Sequence, residues 1–356
     1  MRGTGCYHPA MQDRRTLLKG AAGLTAALAL PARTAAAALP GPRKPPRLRP
    51  GDTVGLIEPA GFTHDAFDLA AVKATVAGMG LVPKVAPHVA ARYGYLAGSD
   101  AERAADVNAM FADDSVRAIF AIRGGWGCAR ILPLLDYALI RAHPKLLVGF
   151  SDITALHMAL AARAGFTTIH GPVAASSWGK LSWDSFRSLA FEGAMPLYQP
   201  PETVEDRLAP RGGRVRTFRS GKATGRLLGG NLTVLSALVG TPYLPDFAGA
   251  ILFIEDTNEA EYRIDRMLTQ LTLAGILGKV AGVVFGQCTD CVSDGPSYGG
   301  FTLSEVLQQH LGALGVPAFQ GALFGHVPNQ YSLPEGCRAE IDADAGTIRI
   351  LEPAVA

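Results

Sequence analysis

The sequence predicts an α/β fold with a mostly parallel sheet and a second, separate apolar system. Three observations predict it. Short apolar runs alternate with helix-period segments between residues 52 and 170. The pattern breaks from about Trp178 to Phe218. Apolar strands then resume near Ala223 and end in a hairpin. Strands alternating with helices need a crossover between each pair, so neighbouring strands run parallel and both faces of the sheet are covered.

The elements follow in order. Thr53-Val54-Gly55-Leu56-Ile57 after a Gly-Asp turn reads as a buried strand. Asp65 to Gly80 has Ala, Leu and Val at helical spacing and stops at glycine. Leu81 to Val85 is a second strand, Ala101 to Phe111 a helix, and Val116 to Arg123 a strand that ends in glycines. Leu146 to Phe150 is a strand followed at once by a helix from Asp152 to Arg163, and Thr167 to His170 closes the series. In the second system, Ala250 to Ile254 and Val280 to Phe285 read as strands, with a helix from Glu261 to Leu273 between them. Cys337 to Leu351 alternates apolar and polar around Asp344-Ala345-Gly346, the signature of a hairpin. The expected domains are 51–180 and 219–354, joined by a linker over 181–218.

The N-terminus carries a different message. Asp13-Arg14-Arg15-Thr16-Leu17-Leu18-Lys19 precedes an uncharged Ala/Leu/Gly run and then Ala35-Ala36-Ala37-Ala38. Paired arginines, a modest apolar core and small residues fit a twin-arginine export signal over residues 1–38. The run from Gly20 to Ala32 is short for a hydrocarbon core of ~30 Å, so contact with the membrane is expected only during export. A periplasmic or otherwise exported protein is expected. Residues 39–50 are Pro- and Arg-rich and read as a tether.

Without residues 1–38 the chain has 28 Lys+Arg against 30 Asp+Glu, a net charge of −2 in place of +2. That charge gives no support to nucleic-acid binding. Roughly 310 residues remain, enough for one large or two ordinary cores. Cys288 and Cys291 form a Cys-x-x-Cys pair, but no second pair or neighbouring histidines complete a zinc set. The pair follows an apolar strand and does not open a helix as a thioredoxin-like motif would. A disulfide or two free thiols remain, and no metal is expected.

Two strand ends carry the chemistry. Gly149-Phe150-Ser151-Asp152 lies where a strand meets a helix. A serine there stands above the sheet edge, beside the positive end of a helix dipole. It is either a nucleophile, with the following N–H of Asp152 in an oxyanion hole, or a helix cap. Arg123-Gly124-Gly125-Trp126-Gly127 follows another strand, where glycines admit close approach of backbone amides. No Lys-Ser/Thr follows and the spacing is not a dinucleotide fingerprint, which argues against a nucleotide loop. An oxyanion amide with a recognition surface from Trp126 is the simpler reading. A serine nucleophile needs a base and an orienting carboxylate. His64, His88, His170 and His326 stay open as the base. Glu255 and Asp256, emerging from Ile251-Leu252-Phe253-Ile254, either orient an imidazole or pair with Arg263 or Arg266.

The ordered set Gly149-Phe150-Ser151-Asp152, Gly229-Gly230-Asn231-Leu232, Gly240-Thr241-Pro242-Tyr243, Ile254-Glu255-Asp256, Tyr262-Arg263-Ile264-Asp265-Arg266 and Gly325-His326 resembles the LD-carboxypeptidase family of serine peptidases. The resemblance runs from about Leu48 to Leu351. It implies an N-terminal flavodoxin-like parallel-sheet domain, a smaller C-terminal β-rich α/β domain, and often a homodimer. It implies a catalytic triad of Ser151, Glu255 and His326, with oxyanion amides from Asp152 and Gly125 and no cofactor. The implied activity releases terminal D-alanine from a peptidoglycan stem tetrapeptide. Two alternatives stand beside it: a peptide-nucleotide hydrolase conferring microcin immunity, and a non-catalytic murein-binding protein. Trp126 and Arg226 are the expected substrate-binding residues, Arg226 for a carboxylate. Asn231 is expected to close a turn or pack between domains.

Overall fold

The structure, a computed structural model, describes residues 42–63, 66–200, 215–291 and 300–356. The expected signal over 1–38, His64, and part of the expected linker lie outside the described residues.

The first half contains β1 (Thr53–Ile57), α1 (Ala66–Gly78), β2 (Val82–Val85), α2 (Asp100–Ala112), β3 (Val116–Ala121), α3 (Cys128–Ile131), α4 (Tyr137–Ala142), β4 (Leu146–Gly149), α5 (Thr154–Arg163) and β5 (Thr168–His170). The second half contains α6 (Lys180–Ala190), β6 (Leu197–Tyr198), β7 (Arg216–Arg219), β8 (Lys222–Asn231), α7 (Leu232–Ala237), β9 (Ile251–Thr257), α8 (Glu261–Leu273), β10 (Gly282–Thr289), α9 (Leu303–Leu311), β11 (Ala318–Gln320), β12 (Leu333–Glu335), β13 (Arg338–Asp342) and β14 (Thr347–Ile350).

One sheet has the order β12-β5-β4-β3-β1-β2. Its five N-terminal strands are parallel and run 2-1-3-4-5 across the sheet, the flavodoxin-like order. The strands that are buried on both faces, such as Val54-Gly55-Leu56-Ile57 and Leu146-Leu147-Val148-Gly149, are continuous apolar runs with no polar alternation. The other sheet has the order β6-β14-β13-β8-β9-β10-β11-β7. Strands β8 to β11 are parallel, and antiparallel strands flank them on both sides. One apolar cluster runs from Val54 and Phe120 through Leu156 and Leu232 to Ile254 and Phe285, so both sheets share a core.

Three expectations about boundaries need correction. Within the expected 39–50 tether, residues 42–50 lie against the body. Leu48 is 1% exposed, Arg43 bridges to Phe166, and Lys44 pairs with Glu352 at 3.2 Å. A Pro-rich string lacks periodicity, but Leu48 and the backbone groups around it still find partners. The 181–218 stretch is not merely a linker: α6 buries Phe186 against Phe120, and β6 and β7 close the two edges of the second sheet. The C-terminal segment also crosses back, since β12 pairs antiparallel with β5 in the first sheet.

Candidate active site

In a parallel sheet, ligand sites form outside the carboxyl ends of the strands. Here β1, β3 and β4 deliver three loops to that edge. The loop after β4 carries Ser151. It has φ +63°, a left-handed conformation that costs a non-glycine residue about 1–3 kcal/mol. The residue before it is extended, and a 3-10 turn over Ser151–Ile153 leads into α5. The serine is held in a sharp strand-to-helix turn, not in an ordinary cap: among the described residues its side chain makes no capping bond.

His326 reaches this serine from the second half of the chain. Its Nε2 is 3.0 Å from Ser151 Oγ, and its Nδ1 is 2.8 Å from Glu255 Oε2. The carboxylate accepts from Nδ1–H, which leaves Nε2 unprotonated and able to accept from the serine hydroxyl. Glu255 is fully buried at the end of β9, whereas the His326 side chain keeps 22% exposure. The imidazole lies against Phe150, with ring centroids 4.8 Å apart. Its main chain is fixed too: Thr289 Oγ1 donates to the His326 carbonyl at 2.7 Å. Gly325 has φ +113°, and a Cβ there would stand 2.9 Å from both Cβ and Oε2 of Glu255.

The loop after β3 closes the site. A Cβ on Gly124 would meet Ser151 Cβ at 3.1 Å and Oγ at 3.3 Å, so any side chain here would press the nucleophile by a few tenths of an ångström. The Gly124 carbonyl accepts from Gly61 N at 3.2 Å. In a trans peptide the next N–H points the opposite way, so the Gly125 amide faces away from Gly61. Asp152 supplies the other amide next to the nucleophile. Its carboxylate is engaged elsewhere, accepting from Cys128 N at 2.8 Å, and burial pushes its pKa up.

The remaining expected residues divide. Trp126 follows this loop, is 53% exposed and meets Tyr95 edge-on at 5.6 Å. Arg226 is not at the site. Asn231, beside Glu255, marks the active-site end of β8, and Arg226 lies five residues back at ~17 Å by strand rise, paired with Arg338. Its place ahead of two glycines misled because a strand carries residues away at over 3 Å each. Asn231 caps α7 through Val234 N and donates to Asp256. Asp256 is thereby tied to Asn231 and Thr233, not to Arg263 or Arg266. Of the other histidines, His88 pairs with Asp106 at 2.7 Å and His170 is fully buried. Cys288 and Cys291 are joined in a disulfide.

Sequence reasoning missed several supporting groups. His157, also fully buried, donates from Nε2 to the Gly149 carbonyl at 2.9 Å and accepts from Thr168 Oγ1 at 2.8 Å. It braces the strand end that presents the serine, and burial lowers its pKa to about 4, which keeps it neutral. Thr154 Oγ1 accepts from Asn231 N at 2.9 Å and ties α5 to β8. Arg123 lines a cavity beside Phe150. Only the Arg123-Gly124-Gly125 string hinted at any of these.

A serine in a strained turn, a histidine and a buried carboxylate in hydrogen-bonded series, with backbone amides alongside, define a serine hydrolase on a two-sheet α/β scaffold. Comparison with known proteins gives the particular family. Residues 54–171 match the LD-carboxypeptidase N-terminal domain and residues 224–341 the LD-carboxypeptidase C-terminal domain. A Bacillus subtilis protein described as a probable murein peptide carboxypeptidase is 38% identical over 300 residues, 84% of this chain and 91% of its own. The structure of muramoyltetrapeptide carboxypeptidase from Oxalobacter formigenes superposes with a TM-score of 0.72 at 28% identity, covering 84% of this chain and 97% of that one. That of wild-type microcin C7 self-immunity protein MccF gives 0.77 at 26% identity, covering 88% and 100%. The chain belongs to the LD-carboxypeptidase family and is a serine peptidase.

Proposed function

We propose that this protein is an exported carboxypeptidase that hydrolyses the L,D-peptide bond before the terminal D-alanine of murein tetrapeptides. The observation that carries the reading is the continuous Ser151–His326–Glu255 hydrogen-bond series. Ser151 Oγ attacks the scissile carbonyl while His326 Nε2 takes its proton. Glu255 holds the imidazole tautomer and stabilises the cation that forms. The amides of Asp152 and Gly125 receive the oxyanion, and their rigid placement needs no reorganisation as charge develops. His326 then protonates the departing D-alanine nitrogen, and water attacks the acyl-serine by the reverse route. Trp126 offers an exposed ring to the stem peptide.

Export is supported by Arg14-Arg15 and the small-residue run after it, and by the Cys288–Cys291 disulfide, a bond that persists in oxidising compartments. Murein trimming outside the cytoplasm follows. The likeness to MccF favours a second reading, hydrolysis of a peptide-nucleotide, with the same triad and a different leaving group.

The test is turnover of purified murein tetrapeptide by the wild type, Ser151→Ala and His326→Ala, with an aminoacyl-nucleotide analogue in parallel. Loss of D-alanine release in both variants supports the triad, and near-wild-type release in either refutes it. Turnover of the nucleotide analogue alone moves the substrate to the second reading. Arg14→Lys with Arg15→Lys should leave the chain unexported, and normal export of that variant would contradict the localisation.

A further inference from the structure

A carboxypeptidase must recognise the end of a chain, and the sequence-derived candidate for that task, Arg226, lies at the wrong end of its strand. Beside the nucleophile there is a different cation. Arg123 immediately precedes Gly124, the residue whose backbone touches Ser151. It lines a cavity of about 380 Å³ together with Phe150, Thr63, Val173, Ser176 and Asp68. Among the described residues lining it, Arg123 is the only Lys or Arg. The cavity is lined by α1, through Asp68, Ala71, Val72 and Thr75, and by the loops after β1, β3, β4 and β5, at the carboxyl edge of the sheet where open parallel sheets take their ligands.

The structure assigns this cavity, we propose, to the terminal α-carboxylate of the peptide, with Arg123 as the residue that reads it. The assignment rests on the carboxypeptidase reading above and names one subsite of it. Trp126 and Tyr95 form an exposed aromatic pair, suited to a long acyl part. The cavity that Arg123 lines has an apolar wall from Phe150 and Val173, suited to one small residue. The carboxylate of a leaving alanine lies within about one residue length, ~3.8 Å, of the scissile carbonyl. A Cβ on Gly61 would meet the Gly124 carbonyl at 3.1 Å and Arg123 Nε at 3.8 Å, so the Arg123 side chain lies beside the loop that touches Ser151.

The guanidinium is anchored for this role. Its Nη1 donates to the Phe62 carbonyl at 2.8 Å, and a planar fork anchored at one nitrogen presents its remaining donors in fixed geometry for a carboxylate. One neighbouring acid, Glu58, is held by other partners. Glu58 is buried and accepts from Thr63 N at 2.8 Å, and burial raises its pKa to about 7 even though Arg123 and Arg92 act to lower it. Much of the Glu58 population is therefore neutral near pH 7, which weakens its hold on Arg123; Asp68 is the other acid that lines the cavity.

The same carboxylate chemistry has a second source, since a diaminopimelate third residue ends in a carboxylate of its own. Four tetrapeptides separate the sources: free acid and C-terminal carboxamide, each with diaminopimelate or lysine at position three. Wild type should prefer the free acids by about 100-fold in kcat/KM with either third residue, the discrimination expected of a bidentate charged pair. In Arg123→Gln that preference should collapse toward one, while a serine-reactive phosphonate still labels Ser151 and shows an intact site. Arg123→Lys, which keeps the charge without the fork, should fall between. Retention of the preference by Arg123→Gln, or equal turnover of acid and amide by wild type, overturns the assignment. A preference that follows diaminopimelate and disappears with lysine also overturns it, giving the cavity to the side chain. Failure of wild type on both free acids, with phosphonate labelling intact, sinks the carboxypeptidase reading itself.

Discussion

Replacing Gly325 by alanine tests the triad without removing any of its members. Gly325 precedes the histidine and holds φ +113°, a region that costs an L-residue about 1–3 kcal/mol. The added Cβ would lie 2.9 Å from Glu255 Oε2, the atom that accepts from His326 Nδ1 at 2.8 Å. Glu255 is fully buried at the end of β9 and has little room to retreat. Either the carboxylate or the loop must shift by several tenths of an ångström, and a misplacement near 1 Å at a catalytic contact costs about 100-fold. Gly325→Ala should therefore lower kcat/KM on murein tetrapeptide by about 100-fold. The melting temperature should fall by ~3–10 °C, given ~2–4 °C per kcal/mol in a chain of this size. Gly78→Ala is the control: Gly78 ends α1, and nothing stands within 4 Å of an added Cβ. That variant should keep full activity and lose no stability. If Gly325→Ala keeps activity within threefold of wild type, the steric argument for the Glu255–His326 geometry is wrong.

Glu255→Gln keeps the shape but lets the amide favour the wrong imidazole tautomer, so kcat should fall by about 10³–10⁴ with little change in KM; steady-state kinetics check it. Thr289→Val removes the 2.7 Å bond to the His326 carbonyl, a bond of about 1 kcal/mol, and should lower kcat by about fivefold while sparing KM. Glu58 gives a pH signature. Its folded pKa of about 7 lies above the ordinary carboxyl value of 4.5, so the native state binds the proton more tightly. Its contribution to stability is present below about pH 4.5 and is lost as pH rises toward 7. Glu58→Gln should therefore gain up to ~3 kcal/mol over wild type at pH 8 and nothing near pH 4, read from urea unfolding at the two pH values.

Much of the first sheet was legible because a doubly covered parallel strand announces itself as an apolar run between helix-period segments. Val54-Gly55-Leu56-Ile57 and Leu146-Leu147-Val148-Gly149 fall where that rule puts them. The hairpin of β13 and β14 was legible from alternation around Asp344-Ala345-Gly346. What local pattern could not give is pairing between distant segments. Nothing in Leu333-Pro334-Glu335 says that it returns to the edge of the first sheet, and nothing in the string around Leu48 says that it packs on Ala190. The site followed the same division. Ser151 stands at a strand-to-helix turn that the residues suggest, but from the local string alone a serine there reads first as a cap. That Glu255 and His326 converge on it required the ordered motifs of a family, because the contacts span 71 and 175 residues. Arg226 shows the opposite failure: proximity in sequence to Gly229-Gly230 was read as proximity to the site, and the extended strand carried it away.

The most direct measurement is mass spectrometry of purified murein tetrapeptide incubated with the mature protein and with Ser151→Ala. The wild-type digest should show a tripeptide and free D-alanine, and the variant digest the unchanged tetrapeptide. Equal D-alanine release by both proteins, or an intact tetrapeptide after prolonged incubation with active wild type, contradicts the account.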